Sequence, residues 1–507
     1  MSHGTTYTES GRKRSLTYPD GSTYEYSYND ANRIQSMDLP DSGQITWGEY
    51  EWRRPTSVSL PGGASKSFDL DPLQRIKKIT SRDPAGNTIL HREYDYDKAG
   101  NIVSEQTGEG RHDYGYDPLD RLTSAENPAL QDEEYSYDAV GNRLTSADTN
   151  GTWSYNSNNE LLAYNNATCS FDDNGNMVKR VVDGKVTRYI YNANNRLVRV
   201  EDGSGDVIAE YYYDPFGRRL WKEVNGERTY FHYSEQGLIA EYDDRGDPIR
   251  FYGYKPGSSW TTDPVFLKKN REYYFYHNDH LGTPQKLTAS NGKVVWSSRY
   301  ASFGGTQLVE KEIKNPLRFP GQYYDEETGL HYNYHRYYDP EIGRYLRDDP
   351  IGLEGGINLF AYSENTPLKY IDYFGLRAQE CPDCPKGEWR VDVGGTFTGG
   401  VIIGGSRSRV TFTCLSSSSK CSGVIDCKLK GLFAYVGFDW SIDFESIGEG
   451  SKVEGRYNNS DIRNYTYKDF IMMAGPVSTT GGNLSPGVSY GGGFAWLDCT
   501  AKLVVCD

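Results

Sequence analysis

Cysteine is nearly absent from the long N-terminal part of this 507-residue sequence: Cys169 stands alone there, and the other seven lie between Cys381 and Cys506. A disulfide framework therefore cannot organise that part, which must fold by burial and hydrogen bonding. Histidine is missing from the opposite end, since all eight lie at or before His335. Zinc-nuclease and imidazole-based ribonuclease chemistry is thereby disfavoured in the tail. No run of about 18 apolar residues exists, so no transmembrane helix is expected. The opening MSHGTTYTESGRKRS has no apolar core for a Sec signal, so a secreted or surface location would call for another route of export. Basic charge is scarce as well. Lys and Arg number 55 against 70 Asp and Glu, and residues 377–507 hold 13 against 14, so the first 376 residues carry the acidity. No nucleic-acid partner is expected, because phosphate contacts need clustered cations.

What is abundant is tyrosine. The 43 Tyr and 14% aromatic content argue against disorder, and they recur with a period. YDYDKAGNIVSE, YGYDPLDRLTSA, YSYDAVGNRLTSA, CSFDDNGNMVKR, YIYNANNRLVRV and YYYDPFGRRLWK share one plan, with an aromatic at Tyr96, Tyr116, Tyr137, Tyr155, Phe171, Tyr191 and Tyr213. Steps of 16 to 22 residues mean an array of small units.

Each unit reads as strand, turn, strand. Alternating aromatics place two rings on one face of a strand. The Asp or Asn that follows, and the Gly-Asn or Asn-Asn beyond it, supply side-chain acceptors and a tolerance of positive φ that a tight turn requires. Isolated hairpins are marginal in water, so the units must pair edge to edge into one sheet. The expected fold is mainly β over 1–310, without a helix of more than two turns. The tyrosines themselves read first as a ladder of cross-strand pairs, and second as exposed platforms for carbohydrate.

Two segments bracket the end of the tyrosine-rich part, DDPIGLEGG at 348–356 and IDYFGL at 371–376. Asp-Pro-x-Gly is a β-turn signature. A chemical reading needs Asp349 and Asp372, 23 residues apart, brought together by the fold. One acid would then donate a proton to a carbonyl while the other takes one from water, and their like charges would separate the two pKa values. Asp348 is a stand-in acid on this reading and a solvated turn residue on the plainer one.

These units, followed by FYHNDHLGTPQKLT and by NPLRFPGQYYDEETGLHYNYHRYYDPEIGRYLRDDPIGLEGGINLFAYSENT, resemble the Rhs/YD-repeat proteins with their repeat-associated core. The resemblance covers residues 1–376, with the core at 311–376. It implies a sheet that spirals into a shell, here a partial one, around a variable C-terminal effector delivered in bacterial competition. It also implies an immunity protein and secretion machinery as partners, and self-cleavage after the second of two D-P-x-G-L motifs by the Asp of each. Asp349, Pro350, Gly352 and Leu353 match the first motif. Asp372, Gly375 and Leu376 match the second, with Tyr373 in place of Pro, so the implied cut falls between Leu376 and Arg377.

Residues 377–507 read as a separate, small Gly- and Cys-rich β domain. GLFAYVGFDWSIDFES places Leu432, Ala434, Val436, Phe438, Trp440, Ile442 and Phe444 on one face. That suits a strand with one buried face, or a membrane-spanning strand of ~9–11 residues. Cys381 and Cys384 lack the second close pair of a structural zinc site, so neither metal nor cofactor is expected. Asp439, Asp443 and Glu445 are the remaining acids of note. Two readings compete with a toxin carrier: an envelope scaffold that binds carbohydrate or protein, and an inactive displaced fragment.

Overall fold

The computed structural model describes residues 3–51, 54–146 and 153–380, and six strands of the tail. It divides into two compact units, residues 1–385 and 386–507. The first is almost wholly antiparallel β. A 13-stranded sheet runs in strict chain order from Gly4–Tyr7 to Glu133–Glu134, a short hairpin follows, and a 16-stranded sheet runs in order from Ser154–Tyr155 to Thr306–Lys311. Among the described residues the only helical elements are two 3-10 turns, Gly352–Gly355 and Ser363–Asn365.

The local cause of this order is one turn used again and again. At Asp117, Oδ1 accepts from the N–H of Leu119 and of Arg121 at 2.9 and 3.0 Å, and Asp120 between them adopts a φ of 63°. The same two acceptances recur at Asp71, Asp138, Asn156, Asp172, Asn192, Asp214 and Asp279. The fourth residue is Gly, Asn, Asp or Gln with positive φ each time, which is what a short polar side chain or none permits.

The recurring tyrosine ties each unit to the one before it. Its hydroxyl donates to the carbonyl of the first residue in the preceding return strand: Tyr96 to Ile76, Tyr116 to Ile102, Tyr137 to Leu122, Tyr155 to Arg143 and Tyr213 to Leu197, at 2.6 to 2.8 Å. A register shift falls at the tyrosine in all five of these units. A bulge there turns the ring toward the neighbouring hairpin. Phe171 has no hydroxyl, and that of Tyr191 makes no such bond among the described residues. The rungs of this ladder are hydroxyl-to-backbone bonds, where the sequence pattern predicts cross-strand ring pairs.

The two sheets meet through residues far apart in the chain. Tyr18 donates to the Tyr252 carbonyl at 2.6 Å, Arg92 to Gln285 at 2.6 Å and Lys286 to the Ile89 carbonyl at 2.8 Å. A single apolar cluster accordingly extends from Leu16 through Tyr24, Phe266 and Trp296 to Leu346.

Residues 311–376 belong to the same compact unit as the array, and they lie across its turns. One turn from each of seven successive repeat units gives up a carbonyl to this segment. Lys369 takes that of Ala99, Thr366 that of Asp120, Asn365 that of Gly141, Arg344 that of Asn159, Asp348 that of Gly175, Arg347 that of Asn195 and Tyr334 that of Phe216. The array ascends broadly as the core descends, so the core runs back over the row. Buried ion pairs seal the contact, with Arg219 and Lys222 both on Asp325.

In the tail, Asp392–Phe397 pairs with Phe438–Asp443, and Gly400–Thr413, Ser422–Tyr435, Gly493–Leu503 and Asn464–Met473 form a four-stranded sheet in that order. The long alternating stretch read as one strand is thus divided between two strands with different partners, and residues 436, 437 and 444 lie outside the described residues. So do Cys381, Cys384, Cys414, Cys421 and Cys506, and Glu445.

Candidate acid pair at the end of the core

Each sequence motif keeps part of the turn that builds the array, namely one of its two side-chain acceptances and the positive-φ residue at the fourth position. Asp349 Oδ1 accepts from the N–H of Ile351 at 3.1 Å and Gly352 follows with a φ of 60°, while Asp372 Oδ1 accepts from the N–H of Leu376 at 2.9 Å and Gly375 has a φ of 66°. DYFGL at 372–376 corresponds to DPFGR at 214–218. The turn reading and the chemical reading are therefore not rivals. One oxygen of each acid closes its turn and leaves the other for a further partner.

The further partner is shared. Arg336 reaches Asp349 Oδ2 at 2.8 Å and Asp372 Oδ2 at 3.3 Å. Its guanidinium also donates to the carbonyls of Gly375 and Leu359 and lies 3.6 Å from the centre of the Tyr345 ring. All three charged groups are buried, at 4% exposure for Asp349, 1% for Asp372 and 2% for Arg336. Tyr345 adds a hydrogen bond to Asp372 Oδ2 at 2.8 Å, and Asn333 supports the Tyr345 oxygen at 2.9 Å.

The segment between Asp372 and Leu376 is gripped carbonyl by carbonyl. The Asp372 carbonyl accepts from Asn333, that of Phe374 from the His335 N–H, and that of Gly375 from Arg336. These donors come from one tight turn, in which Tyr334 has a φ of 49°, between strands Leu330–Asn333 and Arg336–Asp339. The next carbonyl, that of Leu376, lies beside Gly355, as does the Asp349 carboxyl. A Cβ at Gly355 would stand 2.7 Å from the Leu376 carbonyl oxygen and nearer still to Asp349 Oδ2, so both oxygens border the space that this glycine leaves open.

Burial pushes the Asp349 carboxyl up to about 6, against the pull of Arg336 and of the Ile351 N–H, with the charge of Asp372 adding a smaller upward push. This corrects the electrostatics expected from the sequence. For Asp349 desolvation is a larger effect than the like charge of Asp372, and the Arg336 guanidinium contacts both acids. Asp348 lies elsewhere, with its N–H on the Gly175 carbonyl and its side chain against Gly175. Pro350 is exposed at the rim of its turn.

Arg336, Asn333, Tyr345 and Gly355 were not singled out in the sequence, although all four lie in the core stretch. The one signal was spacing: Gly355 follows Gly352 in the first motif, and Arg336 stands in a YHRYYD run whose alternation marks a buried strand.

Comparison with known proteins places these features. The chain is 32% identical over 355 residues, 62% of its length, to the double-stranded DNA deaminase toxin A of Burkholderia cenocepacia. It is 29% identical over 375 residues to the toxin protein Tse5 of Pseudomonas aeruginosa and 34% identical over 255 residues to the tRNA nuclease WapA of Bacillus subtilis. It spans 25% and 28% of the length of the first two and 11% of the third. The fold resembles part of the Photorhabdus luminescens Tc holotoxin pore, with a TM-score of 0.62 at 19% identity over 74% of this chain and 21% of that one. The Teneurin YD-shell family matches residues 85–368, and with the turn, the ladder and the core described above, the chain belongs to that family of Rhs/YD-repeat proteins.

Proposed function

We propose that this chain is the carrier part of a polymorphic toxin that cuts its own backbone between Leu376 and Arg377, separating the YD-repeat unit from the effector that follows. The observation that carries the reading is the meeting of Asp349 Oδ2 and the Leu376 carbonyl oxygen over Gly355, while Asp372 Oδ1 holds the Leu376 N–H.

The step balances as general acid–base hydrolysis. Water attacks the Leu376 carbonyl carbon and gives a proton to the Asp372 carboxylate, as Asp349 delivers its proton to the carbonyl oxygen. The tetrahedral species collapses when Asp349 recovers that proton and Asp372 passes the other to the Arg377 nitrogen, breaking the C–N bond. Arg336 keeps the two acids in register and balances the charge of Asp372. The grip of 333–336 on the carbonyls of 372, 374 and 375 presents the next one in a single orientation, the kind of positioning that lowers a barrier most.

Denaturing gels and mass spectrometry of the expressed chain test this. The expected result is a fragment beginning at Arg377 in the wild type and an intact chain in Asp349→Asn and Asp372→Asn; an intact wild type sinks the reading. Because Asp349 must carry a proton, cleavage should slow as pH rises through about 6, by about tenfold per unit beyond it. The named relatives act on DNA in one case and tRNA in another, so the target of residues 377–507 is not transferred from them. Growth inhibition by the tail, expressed in cytoplasm and in periplasm, tests the effector role. A cognate immunity protein and delivery machinery are the partners this function requires.

A further inference from the structure

Resting on the self-cleavage reading, we infer that Tyr373, where this chain departs from the D-P-x-G-L pattern, is a positioning residue that ties the two limbs of the chain together across the bond to be cut. Tyr370 pairs with Glu380 and Ile371 with Gln379 in antiparallel register. Residues 372–378 are thereby a closed loop. It opens on Asp372 and carries the Leu376–Arg377 bond near its far end. The Tyr373 hydroxyl crosses this loop and donates to Gln379 Oε1 at 2.8 Å, so it joins the limb before the bond to the limb after it.

The near end of the tie is fixed independently. The Tyr373 main chain is pressed against Gly321, which has a φ of 80° and has no room for a Cβ beside the Tyr373 carbonyl. The ring packs against Phe374 at 4.7 Å and beside Leu281 and Ile371. Asp372, Phe374 and Gly375 are held by residues 333–336, all upstream of the cut. Downstream of it, the holds among the described residues of this loop are the two-residue strand pairing and this hydroxyl. A proline at position 373 would fix its own φ and do nothing for residue 379. The tyrosine therefore replaces a constraint on one limb by a bond between both.

Pulse-labelled cell-free translation of the full chain, followed on denaturing gels at several pH values, tests the tie. Tyr373→Phe should slow cleavage about tenfold, and Gln379→Ala should slow it by the same factor. The double variant should be no slower than either, since both remove one bond. The pH midpoint should stay near that of the wild type, because the acid is untouched. Thermal midpoints of Tyr373→Phe and its parent, both in the uncut Asp349→Asn background, should agree within the scatter. Cleavage of Tyr373→Phe at the wild-type rate overturns the inference, as do losses that multiply in the double variant. A wild-type chain that never cleaves overturns the self-cleavage reading instead, and is told apart from these outcomes because every variant then stays whole.

Discussion

The repeat array and the core that crosses it are made from the same residues and held by opposite means. In the array the fastenings that build each unit are local: a ladder tyrosine bonds a carbonyl 12 to 20 residues earlier, and each turn is closed by an Asp or Asn four residues from its last donor. In the core the fastenings are remote. Asp325 meets Arg219 across 106 residues, Arg344 meets Asn159 across 185 and Asn365 meets Gly141 across 224. The array can therefore lose a rung and keep its neighbours, as at Phe171, whereas the core has one arrangement that satisfies everything. Chemistry that needs two acids and a guanidinium in a fixed geometry sits in the second kind of structure, where many unrelated turns jointly determine one segment.

That contrast can be broken at its strongest point first. Asp325→Ala would leave the fully buried Arg219 without its carboxylate. Loss of one partner from a buried pair costs about 3–5 kcal/mol, to be read as a fall in urea midpoint in the Asp349→Asn background. A cost near zero would mean that the core is fastened as loosely as a repeat.

Gly355→Ala is the next test. The added methyl would intrude on the space bordered by Asp349 Oδ2 and the Leu376 carbonyl oxygen and push them apart. A displacement of this kind costs on the order of a hundredfold in rate, so pulse-labelled chains should remain largely uncut, and overpacking should also lower stability by about 1–3 kcal/mol. Cleavage at the wild-type rate would show that the acid reaches the carbonyl by another path.

The smallest effects belong to the ladder. Tyr116→Phe and Tyr155→Phe each remove one hydroxyl-to-carbonyl bond, worth about 1 kcal/mol. Their urea-measured costs should be alike and should add in the double variant, as independent rungs require. A double variant that is much worse than the sum would make the array cooperative like the core.

The units, the turn and the ladder were legible because each is dictated within about 20 residues, the length of one repeat. Asp349 and Asp372 were legible only as two turn residues with a family precedent. The groups that surround them were not. Arg336 in sequence is one of many arginines beside tyrosines, and Gly355 is one of the chain's 55 glycines. The spacing around each marks a turn and a buried strand, which packed residues share with site residues.

The sequence by itself determined a tyrosine-rich antiparallel array, because alternation and turn chemistry act between near neighbours. Tertiary structure alone decided that Arg336 contacts both acids and that Gly355 leaves room beside the Leu376 carbonyl. Those relations exist only once the core has laid itself back over seven turns, and the contacts that hold it there join residues more than a hundred positions apart. Pairwise spacing along a chain carries no record of such a crossing, since loop closure over that length constrains distance very weakly.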